Sequence, residues 1–324
     1  MPKAKLFVTH PLYTEAQALL QSVCDCEFWS KPERPPKDEF LRRIKDKEGL
    51  VCLLTERVGE DTLRAAPKLR IVANVAVGYD NVDVPACTRR GVLVTNTPRV
   101  LDETTADFAW ALMLAVARRV VEADQYVRAG NWQGWNFDHY CGTDVWGKTL
   151  GIVGFGRIGQ AVARRAQGFG MKVIYNARKR VAEDIEKQLN AAYREMNALL
   201  AESDFISLHV PLNGDTRQLF DAPKFFRMKS TAFIINTSRG PVIDEAALVH
   251  ALESKKIAGA GLDVFEQEPF VHPGLKRQNV VLAPHLGSAS TETRGRMALT
   301  AAQNIAAFFQ GQRSPNPLNP ELLK

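Results

Sequence analysis

An α/β fold built from two doubly wound parallel sheets is predicted by three features of the chain. First, short apolar segments typical of strands alternate with amphipathic or charged segments typical of helices. Second, the strand segments are apolar at most positions, as expected for strands covered by helices on both faces. Third, two such series flank one long helical segment at 103–130, and 324 residues suffice for two domains.

The first series contains four predicted strands with amphipathic stretches between them. The strands are at 6–8, 50–54, 71–75 and 92–94. Helices are predicted at 15–23 and 37–47, where charged and apolar residues are interspersed. The segment at 103–130, rich in Ala, Leu and Arg, is predicted as one continuous helix that connects the two domains.

The second series contains six predicted strands, enough for a complete dinucleotide-binding sheet. They are at 149–153, 172–175, 205–208, 232–235, 258–262 and 280–283. Beyond Gly287, a final helical pattern has on one face Met297, Ala301, Ile305 and Phe308. Because no later segment is available for this helix to cover, we expect it to return to the first domain. The predicted domains are 1–100 with 287–324, and 101–286.

Composition and charge narrow the function classes. Apolar residues make up 45% of the chain and charged residues 24%, as in ordinary soluble proteins with a core. The net charge of +6 comes from Lys and Arg scattered along the chain, so no nucleic-acid partner is predicted. No uninterrupted apolar stretch approaches the ~20 residues needed to cross a bilayer, so no membrane association is predicted.

The five cysteines indicate a reducing compartment. Their number is odd and their spacing irregular, which argues against a disulfide framework. Cys24 and Cys26 are separated by one residue, unlike the cysteines of thioredoxin or zinc motifs, and no metal site is predicted. The first residues enter a strand pattern without the apolar region of a signal peptide. We therefore expect a cytoplasmic protein.

The segment at 151–159 has the spacing Gly-x-Gly-x-x-Gly, directly after a predicted strand and before a predicted helix. Gly154 permits the tight turn, Gly156 lets a pyrophosphate approach the backbone, and Gly159 lets helix and strand pack closely. The helix N-terminus adds free N–H groups and a partial positive charge. A glycine-rich turn without a ligand is the alternative. The cofactor-binding residues predicted in this loop are Gly154, Phe155, Gly156, Arg157, Ile158 and Gly159.

The next predicted strand leads into the turn Ala177-Arg178-Lys179-Arg180, which contains no carboxylate. A site specific for NAD usually has an acidic residue here for the ribose 2′-hydroxyl. Three cations instead cluster where a 2′-phosphate would lie, and Arg178 can bind it through its planar guanidinium. We therefore predict NADP(H) as the preferred cofactor, NAD(H) as the alternative, and Ala177, Arg178 and Lys179 as contacts. For Lys179 and Arg180, a solvated basic turn is the competing interpretation.

Three further segments follow predicted strands in the second half of the chain. They are N-T-S-R-G at 236–240, G-L-D-V-F-E-Q-E-P at 261–269 and P-H-L-G-S at 284–288. The carboxyl ends of strands in an open α/β sheet line the ligand crevice. We therefore expect Arg239, Glu268 and His285 to converge there, although they are distant in sequence.

The glycine loop and the three segments occur along the chain in the order found in the D-isomer-specific 2-hydroxyacid dehydrogenase family. The chain resembles this family, and most closely its glyoxylate/hydroxypyruvate reductases. The resemblance covers essentially the whole chain, and the motifs are specific when taken together. It implies a Rossmann cofactor domain inserted in a flavodoxin-like substrate domain. An active site is expected in the cleft, where hinge closure excludes water. The implied activity is NADPH-dependent reduction of small 2-oxo acids such as glyoxylate or hydroxypyruvate to 2-hydroxy acids.

The resemblance implies a role for each of the three convergent residues. Arg239 is the implied substrate-binding arginine, Glu268 the carboxylate of a dyad, and His285 the general acid/base. These residue types suit the chemistry, because hydride arrival places negative charge on the ketone oxygen and an imidazolium can donate a proton to it. A buried Glu268 stabilises the charged ring, and Arg239 grips the oxo acid through paired hydrogen bonds. Taken singly, His285 is more often a satisfied half-buried histidine and Glu268 a surface turn residue.

The resemblance extends to less distinctive positions. The further implied substrate-binding residues are Leu54, Val77, Gly78 and Ser288. The further implied cofactor-binding residues are Thr105, Val210, Pro211, Thr237, Ser238, Asp263 and Gly287. Asp263 is expected to meet the nicotinamide carboxamide, whereas Leu54 and Val77 are equally compatible with core positions.

One position departs from the pattern of similar reductases. These have a Trp two residues before the segment that matches Cys141-Gly142, and it reaches the partner subunit's active site. Here the position is His139, with Trp132 and Trp135 nearby. We expect this region to form part of a homodimer interface, and a titratable ring there could change the preferred substrate.

Two other function classes remain open. A corepressor-like protein of the same fold senses a dinucleotide, binds peptides and can keep the Arg/Glu/His set, although this chain lacks a long disordered tail. A methyltransferase would explain the glycine loop but would leave Arg239, Glu268 and His285 without a role. Turnover of a 2-oxo acid separates the enzyme from the sensor.

Overall fold

The computed structural model describes residues 2–323. The chain divides into two compact units. The N-terminal unit contains the residues up to Leu101 and those from Ala289 onward, and the central unit is Asp102–Ser288.

The N-terminal unit contains a parallel sheet in which, among the described residues, five strands take the order β2-β1-β3-β4-β5. The strands are β1 (Ala4–Val8), β2 (Cys24–Phe28), β3 (Gly49–Cys52), β4 (Ile71–Asn74) and β5 (Leu93–Thr95). The helices between them are α1 (Thr14–Val23), α2 (Lys37–Ile44), α3 (Glu60–Ala65) and α4 (Val84–Arg89). This is the flavodoxin-like strand order. Its switch point, where the direction in which strands are added to the sheet reverses, lies between β1 and β3. The loops after β3 and β4 leave the carboxyl edge of the sheet on one side of this switch point.

The central unit contains a parallel sheet whose seven strands, within the described part of the chain, take the order β12-β11-β10-β9-β6-β7-β8. The strands are β6 (Thr149–Val153), β7 (Lys172–Asn176), β8 (Ala191–Tyr193), β9 (Phe205–Leu208), β10 (Phe233–Asn236), β11 (Gly259–Leu262) and β12 (Val280–Leu282). The helices are α5 (Asp102–Ala117), α6 (Val120–Arg128), α7 (Arg157–Ala166), α8 (Glu183–Leu189), α9 (Met196–Glu202), α10 (Ala222–Arg227) and α11 (Glu245–Glu253). This is a Rossmann sheet whose switch point lies between β6 and β9, so the loops after these two strands are adjacent.

The predicted fold class, two parallel-sheet α/β domains, is confirmed. Each predicted strand is present, with ends that differ by at most two residues. Strands such as β3 and β4 are buried at every position. They read as continuous apolar runs because both of their faces are covered.

Two strands are missing from the prediction, and both are edge strands. β2 and β8 lie at the edges of their sheets. β2 is only partly buried and its sequence, C-D-C-E-F, contains two acidic residues, whereas β8, A-A-Y, is only three residues long. Neither sequence therefore shows the pattern by which buried strands are recognised.

The prediction of one continuous helix at 103–130 is wrong. The structure has two helices, α5 and α6, with Arg119 between them in the left-handed region at φ 54°. The carbonyl of Ala117, which another helical turn would use, instead accepts a hydrogen bond from Thr143 N at 2.8 Å. At Gly142 a Cβ would lie 2.3 Å from that same oxygen, so the returning chain passes directly against the end of α5.

The last helix, α12 (Thr291–Phe309), packs against α1 within the N-terminal unit. Met297, Ala301 and Ile305 are buried, as the pattern of this helix predicts, whereas Phe308 is half-buried. Among residues 2–323, no helix combines the length and the hydropathy that a bilayer crossing requires.

The C-terminal tail is fixed to β5 by the side chain of Asn319, which is 1% exposed. Its Oδ1 accepts from Val94 N at 2.8 Å, and its Nδ2 donates to Val92 O at 3.0 Å and to Thr88 Oγ1 at 2.9 Å. One amide thus pairs two backbone groups at the end of the sheet. Removing it leaves both groups buried without a partner.

We expect Asn319→Ala to lower the free energy of unfolding by about 1–3 kcal/mol, the usual cost of unsatisfied buried polar groups. Urea unfolding followed by circular dichroism measures the shift in midpoint. Gln312→Ala, a change at an exposed position of the same tail, should leave the midpoint unchanged. Equal midpoints for Asn319→Ala and the wild type would contradict this account.

Candidate active site

Glu268 and His285 follow neighbouring strands, β11 and β12, and form a hydrogen-bonded pair. Nδ1 of His285 lies 3.0 Å from Oε2 of Glu268. Their side chains are 25% and 34% exposed, so Glu268 is less buried than expected from the sequence. Because Glu268 occupies Nδ1, the ring's Nε2 is left to act on another molecule.

Several groups control the charge of Glu268. Burial alone would raise its pKa, but the hydrogen bond with His285 and the positive charge of that ring outweigh this. A hydrogen bond from Phe265 N and the charge of Arg239 act in the same direction. The net pKa of Glu268 is below its ordinary value, so the carboxylate is ionised at neutral pH.

Asp263, at the end of β11, holds the turn that carries His285. Its Oδ1 accepts from Leu286 N at 2.6 Å and its Oδ2 from Gly287 N at 2.7 Å. Its carbonyl accepts from His285 N at 2.9 Å. Burial raises the pKa of Asp263, although the two backbone hydrogen bonds oppose the rise. Asp263 is 1% exposed, so its carboxylate orients the backbone that positions His285, whose φ is +58°.

Asn236, the last residue of β10, shapes the turn that carries Arg239. Its Oδ1 accepts from the N–H and the hydroxyl of Ser238 at 3.0 and 2.7 Å. Its Nδ2 donates to Arg239 O at 2.9 Å. The guanidinium of Arg239 donates from Nη1 to Ser238 O at 2.8 Å, and its charge acts on Glu268 as described above. The structure therefore brings Arg239, Glu268 and His285 together at the carboxyl ends of β10, β11 and β12.

The turns that carry Arg239 and Glu268 are in direct backbone contact at Gly240. A Cβ at this position would lie 1.8 Å from Phe265 O, so only glycine fits. The buried carboxylate of Glu245 adds a second tie, accepting from Glu266 N at 2.6 Å. Sequence reasoning assigned no role to Glu245 or Asn236. The detectable signal for Asn236 is a polar residue at the end of an otherwise apolar strand.

The glycine loop after β6 has the geometry that a pyrophosphate requires. Gly154 has φ +92°, and a Cβ there would lie 2.5 Å from His209 O in the loop after β9. At Gly159 a Cβ would lie 2.2 Å from Gly154 O, whereas nothing lies within 4 Å of a Cβ at Gly156. The chain is thus tightly packed at Gly154 and Gly159 and open at Gly156. This is the pattern expected of a dinucleotide loop at the N-terminus of α7.

The side chains of the glycine loop have other partners. Phe155 is buried and its ring stacks on Tyr175 with centroids 4.0 Å apart. Arg157 donates from Nε to Asp102 Oδ2 at 3.1 Å. Ile158, the next predicted contact, is half-buried. The loop therefore offers mainly its backbone to a ligand.

The predicted cofactor residues elsewhere in the central unit lie near the glycine loop or near the turn of His285. Val210 approaches the Gly154 Cβ position to 2.9 Å, and Pro211 follows it at the surface. Thr105 lies against Gly287, with its Cγ2 3.5 Å from a Cβ placed there. Ser288 ends the central unit just after this turn.

Thr237 provides a second indication of a bound group. Its Oγ1 is buried and finds no hydrogen-bond partner among the described residues. Buried hydroxyls are rarely left unpaired. The residues of this part of the central unit therefore fit a nicotinamide dinucleotide. No three His, Cys, Asp or Glu side chains in residues 2–323 are grouped as metal ligands would be.

The basic turn after β7 divides into paired and unpaired cations. Arg180 donates from Nε and Nη2 to the two carboxylate oxygens of the buried Glu186, at 2.9 and 2.7 Å. The hydroxyl of Tyr175 donates to the same carboxylate at 2.6 Å. Arg178 and Lys179 are exposed and, within the described residues, form no hydrogen bond or ion pair. Two of the three cations are therefore available to an anion.

The predicted substrate residues of the N-terminal unit lie at the carboxyl edge of its sheet. Leu54 follows β3 and is half-buried. Val77 and Gly78 follow β4 and are also half-buried. The N–H groups of Val77 and Gly78 have no acceptor among the residues that the structure describes.

Comparison with known proteins identifies the chain's relatives. Residues 110–287 match the family model of the D-isomer specific 2-hydroxyacid dehydrogenase NAD binding domain. A glyoxylate reductase of Korarchaeum cryptofilum is 52% identical over 99% of this chain and 98% of its own length. A crystal structure of a Thermus thermophilus protein is 41% identical, with a TM-score of 0.91 over 97% of this chain and 99% of its own.

Several solved structures of relatives contain ligands, and one of them contains NADP. It is an NADPH-dependent glyoxylate/hydroxypyruvate reductase of Sinorhizobium meliloti in complex with NADP and malonate, 32% identical with a TM-score of 0.85. The match covers 98% of this chain and 97% of that one. The fold, the motifs and the full-length identity lead to one conclusion. The chain belongs to the D-isomer-specific 2-hydroxyacid dehydrogenase family.

Proposed function

We propose that this protein reduces small 2-oxo acids, with glyoxylate and hydroxypyruvate as the preferred substrates, and that it prefers NADPH to NADH. The observation that carries the proposal is the hydrogen-bonded pair of His285 and Glu268 at 3.0 Å, with the charge of Arg239 acting on Glu268. Relatives named glyoxylate reductase, aligned over nearly the whole chain, support this substrate class.

In this mechanism His285 is the proton donor. Its Nε2 gives a proton to the carbonyl oxygen as the carbonyl carbon becomes an alcohol carbon, and the ring is left neutral. Glu268 stabilises the charged ring beforehand and fixes Nδ1 as the nitrogen that keeps its proton. Arg239 holds the oxo acid through paired hydrogen bonds. The N–H groups of Val77 and Gly78 are the proposed donors to the substrate carboxylate.

A bound nicotinamide dinucleotide supplies the hydride. The chain's part is to hold it through the open backbone at Gly156, the N-terminus of α7 and the hydroxyl of Thr237. Arg178 and Lys179 are the proposed partners of a 2′-phosphate, since Arg180 is already bound to Glu186. The NADP complex of the Sinorhizobium meliloti reductase supports this choice.

We expect NADPH oxidation with glyoxylate or hydroxypyruvate at a higher kcat/KM than NADH oxidation. In Arg178→Ala, the KM for NADPH should rise about tenfold or more, because hydrogen bonds to charged groups contribute about 1.5–3 kcal/mol. The KM for NADH should not change. Absorbance loss at the nicotinamide band measures all of these rates.

The matched control for this variant is Lys187→Ala, which removes an exposed cation that is paired with Glu183 on α8. Its KM for NADPH should equal that of the wild type. A higher kcat/KM with NADH would contradict the cofactor choice. Tight NADPH binding without turnover of any 2-oxo acid would instead favour a dinucleotide sensor.

The dyad makes a separate prediction about pH. In the wild type, reduction should fall as pH rises, because His285 must carry a proton to donate it. Glu268→Gln removes the anion that stabilises the charged ring, so the fall should begin at lower pH. Because the pKa of Glu268 is below its ordinary value, protonation of this carboxylate should cause no decline in activity near neutral pH.

Profiles of kcat/KM against pH, measured for wild type and Glu268→Gln, check this prediction. His285→Gln should lose about 10²–10⁴-fold in kcat in the pH range below the wild-type decline, as expected for a lost general acid. Superimposable profiles for wild type and Glu268→Gln would show that the carboxylate does not act on the proton donor. Near-normal turnover by His285→Gln would rule out the proposed mechanism.

We also infer a homodimer, from the surface formed by α6 and the loop at 129–146. Helix α6 has no buried residue among those described. Beside it Trp135 and Phe137 are 83% and 85% exposed, and His139 packs on Tyr126 and Tyr140. A contiguous apolar surface of this kind is typical of a subunit interface. A second copy of the chain is the proposed occupant.

Light scattering should give twice the 36.0 kDa of one chain. The double variant Trp135→Glu with Phe137→Glu should shift the mass towards the monomer, because two charges would be buried at the interface. Phe226→Glu is the matched control, since Phe226 is also exposed in the central unit, at 75%, but lies on α10. A wild-type mass of 36.0 kDa at micromolar concentration would exclude the dimer.

A further inference from the structure

The loop after β4 has all three of its central carbonyl groups fixed by donors within the N-terminal unit. Ala76 O accepts from Thr97 N at 2.9 Å. Val77 O accepts from Asn96 Nδ2 at 2.8 Å, and Gly78 O accepts from Asn74 Nδ2 at 2.9 Å. Three consecutive peptide groups are therefore held in one orientation.

The orientation of these carbonyls determines where the neighbouring N–H groups point. In a planar trans peptide the N–H of one residue points away from the C=O of the residue before it. The fixed Ala76 carbonyl thus directs the N–H of Val77, and the fixed Val77 carbonyl directs that of Gly78. Both N–H groups lack an acceptor among the described residues. Consecutive free N–H groups form a concave site for an anion.

A second layer of amides supports the first. Asn74 and Asn81 are reciprocally paired, with N–O distances of 3.3 and 3.2 Å between their side chains. The Nδ2 of Asn81 also lies within hydrogen-bond distance of Leu53 O and Glu56 O, at 3.1 and 3.0 Å. The amide pair thus ties the loop after β3 to the loop after β4.

We propose that Asn96, with the Asn74–Asn81 pair behind the same loop, is a positioning residue for recognition of the substrate carboxylate. This inference rests on the proposed function. Asn96 does not touch the carboxylate but holds the Val77 carbonyl so that the next N–H faces the anion. The side chain of Asn96 is buried, with the residue 7% exposed, and within the described residues its amide forms a hydrogen bond to that carbonyl and to no other group.

The position of Asn96 makes a selective test feasible. Its backbone N–H and carbonyl are bonded to Asn316 and Asn304, so truncating the side chain leaves the path of the chain supported. Without the amide, the Val77 carbonyl loses its buried donor and the peptide between Val77 and Gly78 is free to rotate. The loss should therefore fall on binding of the oxo acid. A residue that is merely structural would reduce stability and the active fraction without changing KM.

In Asn96→Ala, we expect the KM for glyoxylate to rise about tenfold or more, the equivalent of about 1.4 kcal/mol or more, because the Val77 carbonyl is left without its donor. The kcat should change less than about threefold, and NADPH affinity, measured by fluorescence, should not change. Asn319→Ala is the matched control, because it removes a buried amide of the same unit that contacts β5 and α4 instead of the loop. Its stability should fall while its KM stays at the wild-type value.

Several outcomes would overturn the inference. One is a folded Asn96→Ala protein with the wild-type KM, and another is an equal rise of KM in Asn319→Ala. If Asn96→Ala does not fold, Asn81→Ala, at a half-buried position, takes its place, with a KM rise of about threefold or more expected. A folded Asn81→Ala with unchanged KM would then overturn the inference.

An experiment with oxalate distinguishes failure of this inference from failure of the proposed function. If the wild type reduces no 2-oxo acid, the proposed function fails, and hydrogen exchange of the peptide covering 75–80 becomes the measurement. Oxalate should slow exchange there in the wild type but not in Asn96→Ala. Equal effects of oxalate on both proteins, or none on either, would overturn the inference.

Discussion

The site depends on one constraint. Buried polar side chains at strand ends form hydrogen bonds with the backbone of the turns that follow. Asp263 is the clearest case, because one carboxylate fixes two N–H groups of the turn that carries His285. Asn236 does the same for the turn that carries Arg239. A chain that ends an apolar strand with such a residue enters its loop in a defined direction, and the functional side chain is positioned at little entropic cost.

The sequence predicts the buried strands of the fold well, but it does not predict two of the edge strands. β3 and β4 are recognisable because burial on both faces requires apolar residues throughout. β2 is missed because an edge strand tolerates polar residues, and β8 because it has only three residues. The break between α5 and α6 could not be predicted, since it depends on Gly142 and Thr143 returning to the carbonyl of Ala117. No local pattern in the sequence near Arg119 records that approach.

The candidate site shows the same division. The glycine spacing and the positions of Arg239, Glu268 and His285 can be read from motifs, because particular chemistry requires particular residue types. The pairing of Arg180 with Glu186 cannot, since a sequence shows three cations in a row but not which of them already has a partner. Glu245 escaped notice for a similar reason. Its tie to Glu266 joins residues that are 21 apart in sequence and belong to different elements.

If main-chain N–H groups bind the substrate carboxylate as proposed, there is a consequence for how the substrate range of this protein can change. The donors at Val77 and Gly78 belong to the backbone, and the groups that orient them come from residues outside the loop. The side chains of Val77, which is half-buried, and Tyr79, which is 46% exposed, are therefore uncoupled from carboxylate binding. Under the proposed function, substitutions at these two positions would alter which larger 2-oxo acids are accepted, while the common carboxylate would be held in the same way. A division of this kind lets related enzymes diverge in substrate without rebuilding the part of the site that all their substrates share.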